Sequence, residues 1–178
     1  MLQADNTVLL LIDVQEKITN VMHDKSRLLD KLQRLIAGID VLGIPMLATE
    51  QYPAGLGPTM PELHLDPEIV PVEKITFSCC DNPQFMDQLQ ALNRTTVLVA
   101  GIETHVCVYQ TVRQLLTRNY SVEVVTDAVD SRNLSDREIA LQRMRDEGAG
   151  MTTVEMVLFE LLKKAGDDTF KAISGIIK

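Results

Sequence analysis

The sequence has 178 residues, 46% hydrophobic and 24% charged, which suits one domain over 1–178 with a substantial core and argues against wholesale disorder. Seventeen Lys and Arg against 25 Asp and Glu leave a net charge of −8 with no basic run, which disfavours a nucleic-acid or anionic-membrane surface. Three cysteines, two of them adjacent (Cys79 and Cys80), make no disulfide framework, and the Val8–Ile12 run is too short for a membrane span and follows Asp5, unlike a leader, so a reducing cytoplasmic compartment is expected.

Val8 to Ile12 is continuously apolar, the pattern of a strand buried on both faces of a parallel sheet, and it stops at Asp13. Leu28, Leu29, Leu32, Leu35, Ile36, Ile39 and Leu42 fall at helical spacing and are closed by Gly43. Ile44 to Ala48 reads as the second strand. From Glu50 to Thr76 five prolines and two glycines predict a long excursion, with a short strand at Glu68–Val72. Tyr52, Leu56, Met60, Leu63 and Leu65 in this excursion predict an exposed apolar patch, hence a homo-oligomer or a lid over the site.

Asn82-Pro83 caps a helix bearing Phe85, Met86, Leu89 and Leu92. Thr95 to Ala100 is a strand ended by Gly101, followed by a helix over about Thr104 to Arg118. A further strand, Ser121 to Thr126, stops at Asp127. Ser135 with Glu138 reads as a capping box for a helix to Glu147, and Thr152 with Glu155 as the cap of another. A short strand near Met151 separates these two helices, and Asp167 to Lys178 forms a last one. Strands alternating with helices predict an α/β domain with a mainly parallel sheet.

Ligands of such sheets bind beyond the carboxyl ends of the strands, where strand order reverses. The polar residues there are Asp13, Glu50, Lys74, the segment Gly101 to Cys107, and Asp127 with Asp130. Each has an ordinary structural explanation: a strand-end acid that caps a helix, a solvated lysine, a buried small cysteine. Cys107 differs from Cys79 and Cys80 in lying in the first turn of a helix, where free N–H groups and the dipole favour a thiolate. The turn Val14-Gln15-Glu16-Lys17 has no glycine, so neither a Rossmann nor a P-loop cradle fits. His23, His64 and His105 have no ligand spacing, and no metal or cofactor is expected.

Taken together, Leu11-Ile12-Asp13-Val14-Gln15, Lys74-Ile75-Thr76-Phe77-Ser78 and Gly101-Ile102-Glu103-Thr104-His105-Val106-Cys107 resemble the isochorismatase-like cysteine hydrolase family. Ala48 to Thr59 is most similar to its isochorismatase domain-containing branch. The resemblance implies a three-layer Rossmann-like α/β/α fold with six mainly parallel strands, and a triad of Asp13 as base, Lys74 as thiolate stabiliser and Cys107 as nucleophile, its thiol titrating below the usual value. It also implies a cis peptide joining Ile102 to Glu103 and an oxyanion hole from the backbone N–H groups of Glu103 and Cys107. Gln51, Tyr52, Leu56, Phe77 and Thr104 are the pocket candidates. The implied reaction is hydrolysis of a small amide, imide or related acyl compound through a Cys thioester. The metal motif Asp-x-His of the nicotinamidases is Glu50-Gln51-Tyr52 here. Three alternatives stay open: a vinyl-ether hydrolase that does not use Cys107, an Asp13 phosphotransferase with Mg²⁺ on Asp127 and Asp130, and a non-catalytic scaffold.

Overall fold

A computed structural model describes residues 1–178. Its six strands are β1 (Thr7–Ile12), β2 (Met46–Gln51), β3 (Val72–Lys74), β4 (Thr96–Ile102), β5 (Ser121–Asp130) and β6 (Gly150–Thr152), and a short helix, α1 (Glu16–Thr19), follows β1. All pair in parallel, in the order β3-β2-β1-β4-β5-β6. The chain steps outward from β1 to β3, then returns to the other side of β1 with β4. The switch point therefore lies between β1 and β4, where Ile12 is paired with Gly101.

Alternation along the central strands builds the three layers. Leu9 and Leu11 with Leu98, Ala100 and Ile102 face α2 (Lys25–Val41), α7 (Val154–Leu162) and α8 (Asp168–Ile177). Val8, Leu10 and Ile12 with Val97 and Val99 face α4 (Pro83–Ala91) and α5 (Tyr109–Thr117), while α6 (Leu134–Asp146) adds Met144 to the same core. Gly101 is required at the crossing. Its φ is +117°, and a Cβ there would stand 2.1 Å from the carbonyl oxygen of Ile12.

Several elements depart from the sequence expectation. β2 begins at Met46, after Pro45, and runs on through Glu50 and Gln51. The short edge strand is Val72–Lys74, not Glu68–Val72, so Lys74 sits at a strand end in register with Gln51. β5 does not stop at Asp127. It swells against β4, where Val99 pairs with Val124 but Gly101 with Val129, and continues to Asp130. Because β5 is longer, α6 starts at Leu134; Ser135 lies within its first turn, and Asn133 takes the cap position. Thr152 ends β6, and it is Thr153 that caps α7, accepting from Met156 N. Asn82 caps α4 as expected, accepting from Phe85 N with Pro83 behind it.

The excursion after β2 contains α3 (Pro53–Leu56) and a 3₁₀ turn at Pro61–Leu63. Met60 and Leu63 are buried and Leu65 packs against the same core, so these three residues form no exposed patch. The apolar groups that remain exposed here are Tyr52, Val70, Ile75 and Phe77. No helix is long and apolar enough to cross a membrane.

Candidate active site

Asp13 follows β1 at the switch point, with φ +51°. This left-handed turn is one that aspartate tolerates better than most residues. Its N–H is bonded to Thr49 O, and its carbonyl accepts from Gln15 N. The side chain is 1% exposed and meets Lys74, whose Nζ lies 2.6 Å from Asp13 Oδ2. Thr49 Oγ1 donates to the other oxygen, Oδ1, at 2.7 Å.

Lys74 is as buried as its partner. Its ammonium also donates to Gln51 Oε1 at 2.8 Å and lies 3.3 and 3.2 Å from the carbonyls of Thr76 and Phe77. An ammonium has three N–H groups, and all three are engaged by these acceptors. Burial alone would pull the Lys74 pKa down; the Asp13 carboxylate beside it opposes this, and the net direction is up. Lys74 is therefore a fixed charge.

Cys107 is buried in a π turn, Thr104–Val108, that leads into α5. The peptide bond before this turn, Ile102–Glu103, is cis. The carbonyl of Glu103 accepts from Val106 N and Val108 N, passing over the N–H of Cys107. Glu103 anchors the turn from outside, its Oε2 accepting from Arg132 N at 3.2 Å and Arg132 Nε at 3.0 Å.

The charge state of the sulfur reverses the sequence expectation. Burial first, then the Asp13 carboxylate, push the Cys107 thiol well above its usual range, and Lys74 only partly opposes them. The helical turn does not make a resting thiolate, because the nearest cation is already neutralised by Asp13. At rest the centre holds a carboxylate, an ammonium and a thiol.

Burial also raises Cys79, to about 12, and Cys80, to about 11. This gives a prediction with a definite sign. In the unfolded chain each thiol ionises near the reference value of about 8.5. The unfolded state thus loses protons first, and stability falls as pH rises above that value towards 11 and 12. Each thiol contributes about 1.4 kcal/mol per pH unit to the slope. Urea midpoints across this window should fall steeply, and Cys79→Ala should flatten the curve. A profile already flat in the parent would mean that the thiols are in contact with water.

The remaining candidates separate clearly. Gln51 holds Lys74 and donates to Ile75 O. Tyr52 and Phe77 are 58% and 54% exposed beside the centre, and Leu56 is half-buried. Thr104 is fully enclosed, and its Oγ1 has no hydrogen-bond partner. Glu50 Oε1 accepts from both the N–H and the hydroxyl of Thr59. Asp127 caps α7 at Val154 N and faces Lys31; Asp130 is flanked by Arg27 and Arg137 and accepts from Asp24 N. With both acids committed to cations and caps, and Asp13 to Lys74, the phosphotransferase alternative loses its geometry. His105 Nδ1 is 2.9 Å from Ser131 Oγ, away from the thiol.

Two contributors were not candidate site residues in the sequence, although both lie in the stretches that carry the family resemblance. Thr49 is one, a polar residue at the carboxyl end of a buried strand. Gln15 is the other, fully buried, its amide bonded to Gln51 N, Gln51 O and Gly57 O so that the excursion is tied to the strand ends. A cleft of about 900 Å³ lies elsewhere, between α2, the start of β2 and the 63–69 loop, at the amino end of β2.

Residues 7–156 match the isochorismatase domain. The chain belongs to the isochorismatase family. Isochorismatase domain-containing protein 2A of Mus musculus is 39% identical over 175 residues, 98% of this chain and 84% of that protein. Among solved structures, the MAR1 ribonuclease from Caenorhabditis elegans is 36% identical with a TM-score of 0.93, covering 99% of this chain and 91% of that one. YcaC from Pseudomonas aeruginosa, solved with hexane-2,5-diol and covalent acrylamide, is 26% identical with a TM-score of 0.92, over 98% and 90% of the two chains. The six-stranded α/β/α architecture of this chain is thus that of isochorismatase-family hydrolases.

Proposed function

We propose that this chain is a cofactor-independent hydrolase of small amides, imides or related acyl compounds, a single domain spanning 1–178 that works through Asp13, Lys74 and Cys107. The observation that carries the reading is the buried 2.6 Å Lys74–Asp13 pair beside the Cys107 thiol at the switch point. Because the sulfur rests as a thiol, deprotonation accompanies attack. Asp13 takes the proton as Sγ adds to the carbonyl carbon. Lys74 holds the carboxylate and balances charge from a distance, since its N–H groups are all engaged. The N–H groups of Glu103 and Cys107 receive the oxyanion, worth roughly 3 kcal/mol per donor. Collapse expels the amine, which leaves with the proton from Asp13. Asp13 then draws a proton from water, the hydroxide adds to the thioester carbon, and collapse releases the acid as Asp13 returns that proton to the departing Cys107 sulfur.

Gln51, Tyr52, Leu56, Phe77 and Thr104 form the walls of the pocket on this reading. The YcaC structure with covalent acrylamide supports a nucleophile in the reading, as that relative forms a covalent bond with a small electrophile. The reading uses no metal, and Glu50 Oε1 accepts from the N–H and hydroxyl of Thr59. The net charge of −8 speaks against an RNA substrate, although one neighbour is named a ribonuclease. Three buried, unpaired cysteines fit a reducing cytoplasm.

The test is acyl transfer from p-nitrophenyl acetate, followed by intact mass and peptide mapping. An acetyl increment on Cys107 is expected, and Cys107→Ala should lower turnover by about a thousandfold or more. Retained turnover in Cys107→Ala would mean that Cys107 is not the nucleophile, as the vinyl-ether alternative also holds, and neither turnover nor an adduct on Cys107 would favour a scaffold. The exposed Tyr52, Ile75 and Phe77 beside the site support a homo-oligomer in which a neighbouring copy covers them. Light scattering should then give a multiple of the chain mass; a monomer at all micromolar concentrations would remove this part.

A further inference from the structure

Lys74 secures only one oxygen of Asp13, and a carboxylate held at one oxygen still pivots about that contact. The second contact is Thr49 Oγ1 on Oδ1 at 2.7 Å, with both residues 1% exposed. A threonine hydroxyl has one hydrogen, and the carboxylate takes it. Cys79 Sγ lies 3.7 Å from the same Oγ1, so in that contact the thiol donates and the hydroxyl oxygen accepts. The buried thiol keeps its proton and remains a donor. Cys79 is itself moored to α5, its N–H donating to Thr111 Oγ1 at 3.0 Å, one turn beyond Cys107. The elements carrying base and nucleophile are thus joined through Thr49 and Cys79.

We propose that Thr49 is a positioning residue for Asp13: its hydroxyl, kept in one orientation by the Cys79 thiol, stops the carboxylate from pivoting and aims it at the Cys107 proton. A carboxylate oxygen has about two acceptor sites, so each oxygen keeps one for that proton after its bond to Lys74 or Thr49. The proposal rests on Asp13 being the base, as in the reading above.

The experiment measures alkylation of Cys107 by iodoacetamide, resolved from Cys79 and Cys80 by peptide mapping. Thr49→Val, Thr49→Ser and Cys79→Ala are compared in the parent and in an Asp13→Asn background. Thr49→Val should slow Cys107 by about tenfold, the size expected for losing a hydrogen bond to a charged group. Thr49→Ser should restore the rate to within about twofold, and Cys79→Ala should slow it by about threefold. In Asp13→Asn, the substitutions should have no further effect, which a merely structural role would not produce. The proposal is overturned if Thr49→Val or Cys79→Ala reacts as fast as the parent, or if their losses persist in Asp13→Asn. Should Thr49→Val fail to fold, Cys79→Ala decides alone. If Asp13→Asn itself leaves Cys107 unslowed, the base reading falls and this proposal with it. If Asp13→Asn slows the reaction and Thr49→Val does not, only the proposal falls.

Discussion

Replacing Lys74 with Met is expected to cost about 3–5 kcal/mol of folding stability, several times what a surface lysine would. The ammonium and the carboxylate it faces are 0% and 1% exposed, so water cannot solvate Asp13 once its partner is gone. Gln51 Oε1 and the carbonyls of Thr76 and Phe77 would also lose their donor. Urea unfolding at neutral pH measures the loss. The double variant Lys74→Met with Asp13→Asn should recover roughly half of it, because the amide carries no uncompensated charge. A single variant within about 1 kcal/mol of the parent would show that solvent reaches the pair and would remove the electrostatic basis of the proposed triad.

Gly101→Ala is expected to have the largest effect of any single methyl added to this chain. The new Cβ would lie 2.1 Å from Ile12 O, 2.7 Å from Ile12 N and 2.8 Å from Ile12 C. These are backbone atoms of β1 at the centre of the sheet, so nothing flexible can yield. The φ of +117° adds backbone strain. The combined cost should exceed about 4 kcal/mol and leave little folded protein at 37 °C, read by circular dichroism and soluble yield. The contrasting substitution is Gly148→Ala, where φ is +104° but no atom lies within 4 Å. It should cost only the conformational penalty, on the order of 1–2 kcal/mol. Equal effects at the two positions would mean that strain alone acts and that the strands at the switch point are not in close contact.

The sequence by itself determined the α/β class and pointed to Asp13, Lys74 and Cys107 of the proposed centre. Val8 to Ile12 and Val97 to Ala100 are apolar without alternation, as strands covered on both faces must be, and Asp13 directly follows the first. Local chemistry was equally legible at Asn82-Pro83, where the cap depends on neighbours three residues away. What required the tertiary structure was everything set by contacts between distant segments. The extension of β5 through Thr126 and Asp127 is stabilised by β4 and by the Asp127–Val154 cap, although its own residues read as a stop. Ser135 has the composition of a capping box but not the place, because the length of β5 decides where α6 begins. Met60 and Leu63 look like surface patch residues until the excursion folds them into the core. The resting thiol at Cys107 likewise depends on its surroundings: ionisation follows burial and the sign of the nearest unneutralised charge, and no spacing of residues along the chain records either. Thr49 and Gln15 join the site only because parallel pairing brings three strand ends to one edge of the sheet.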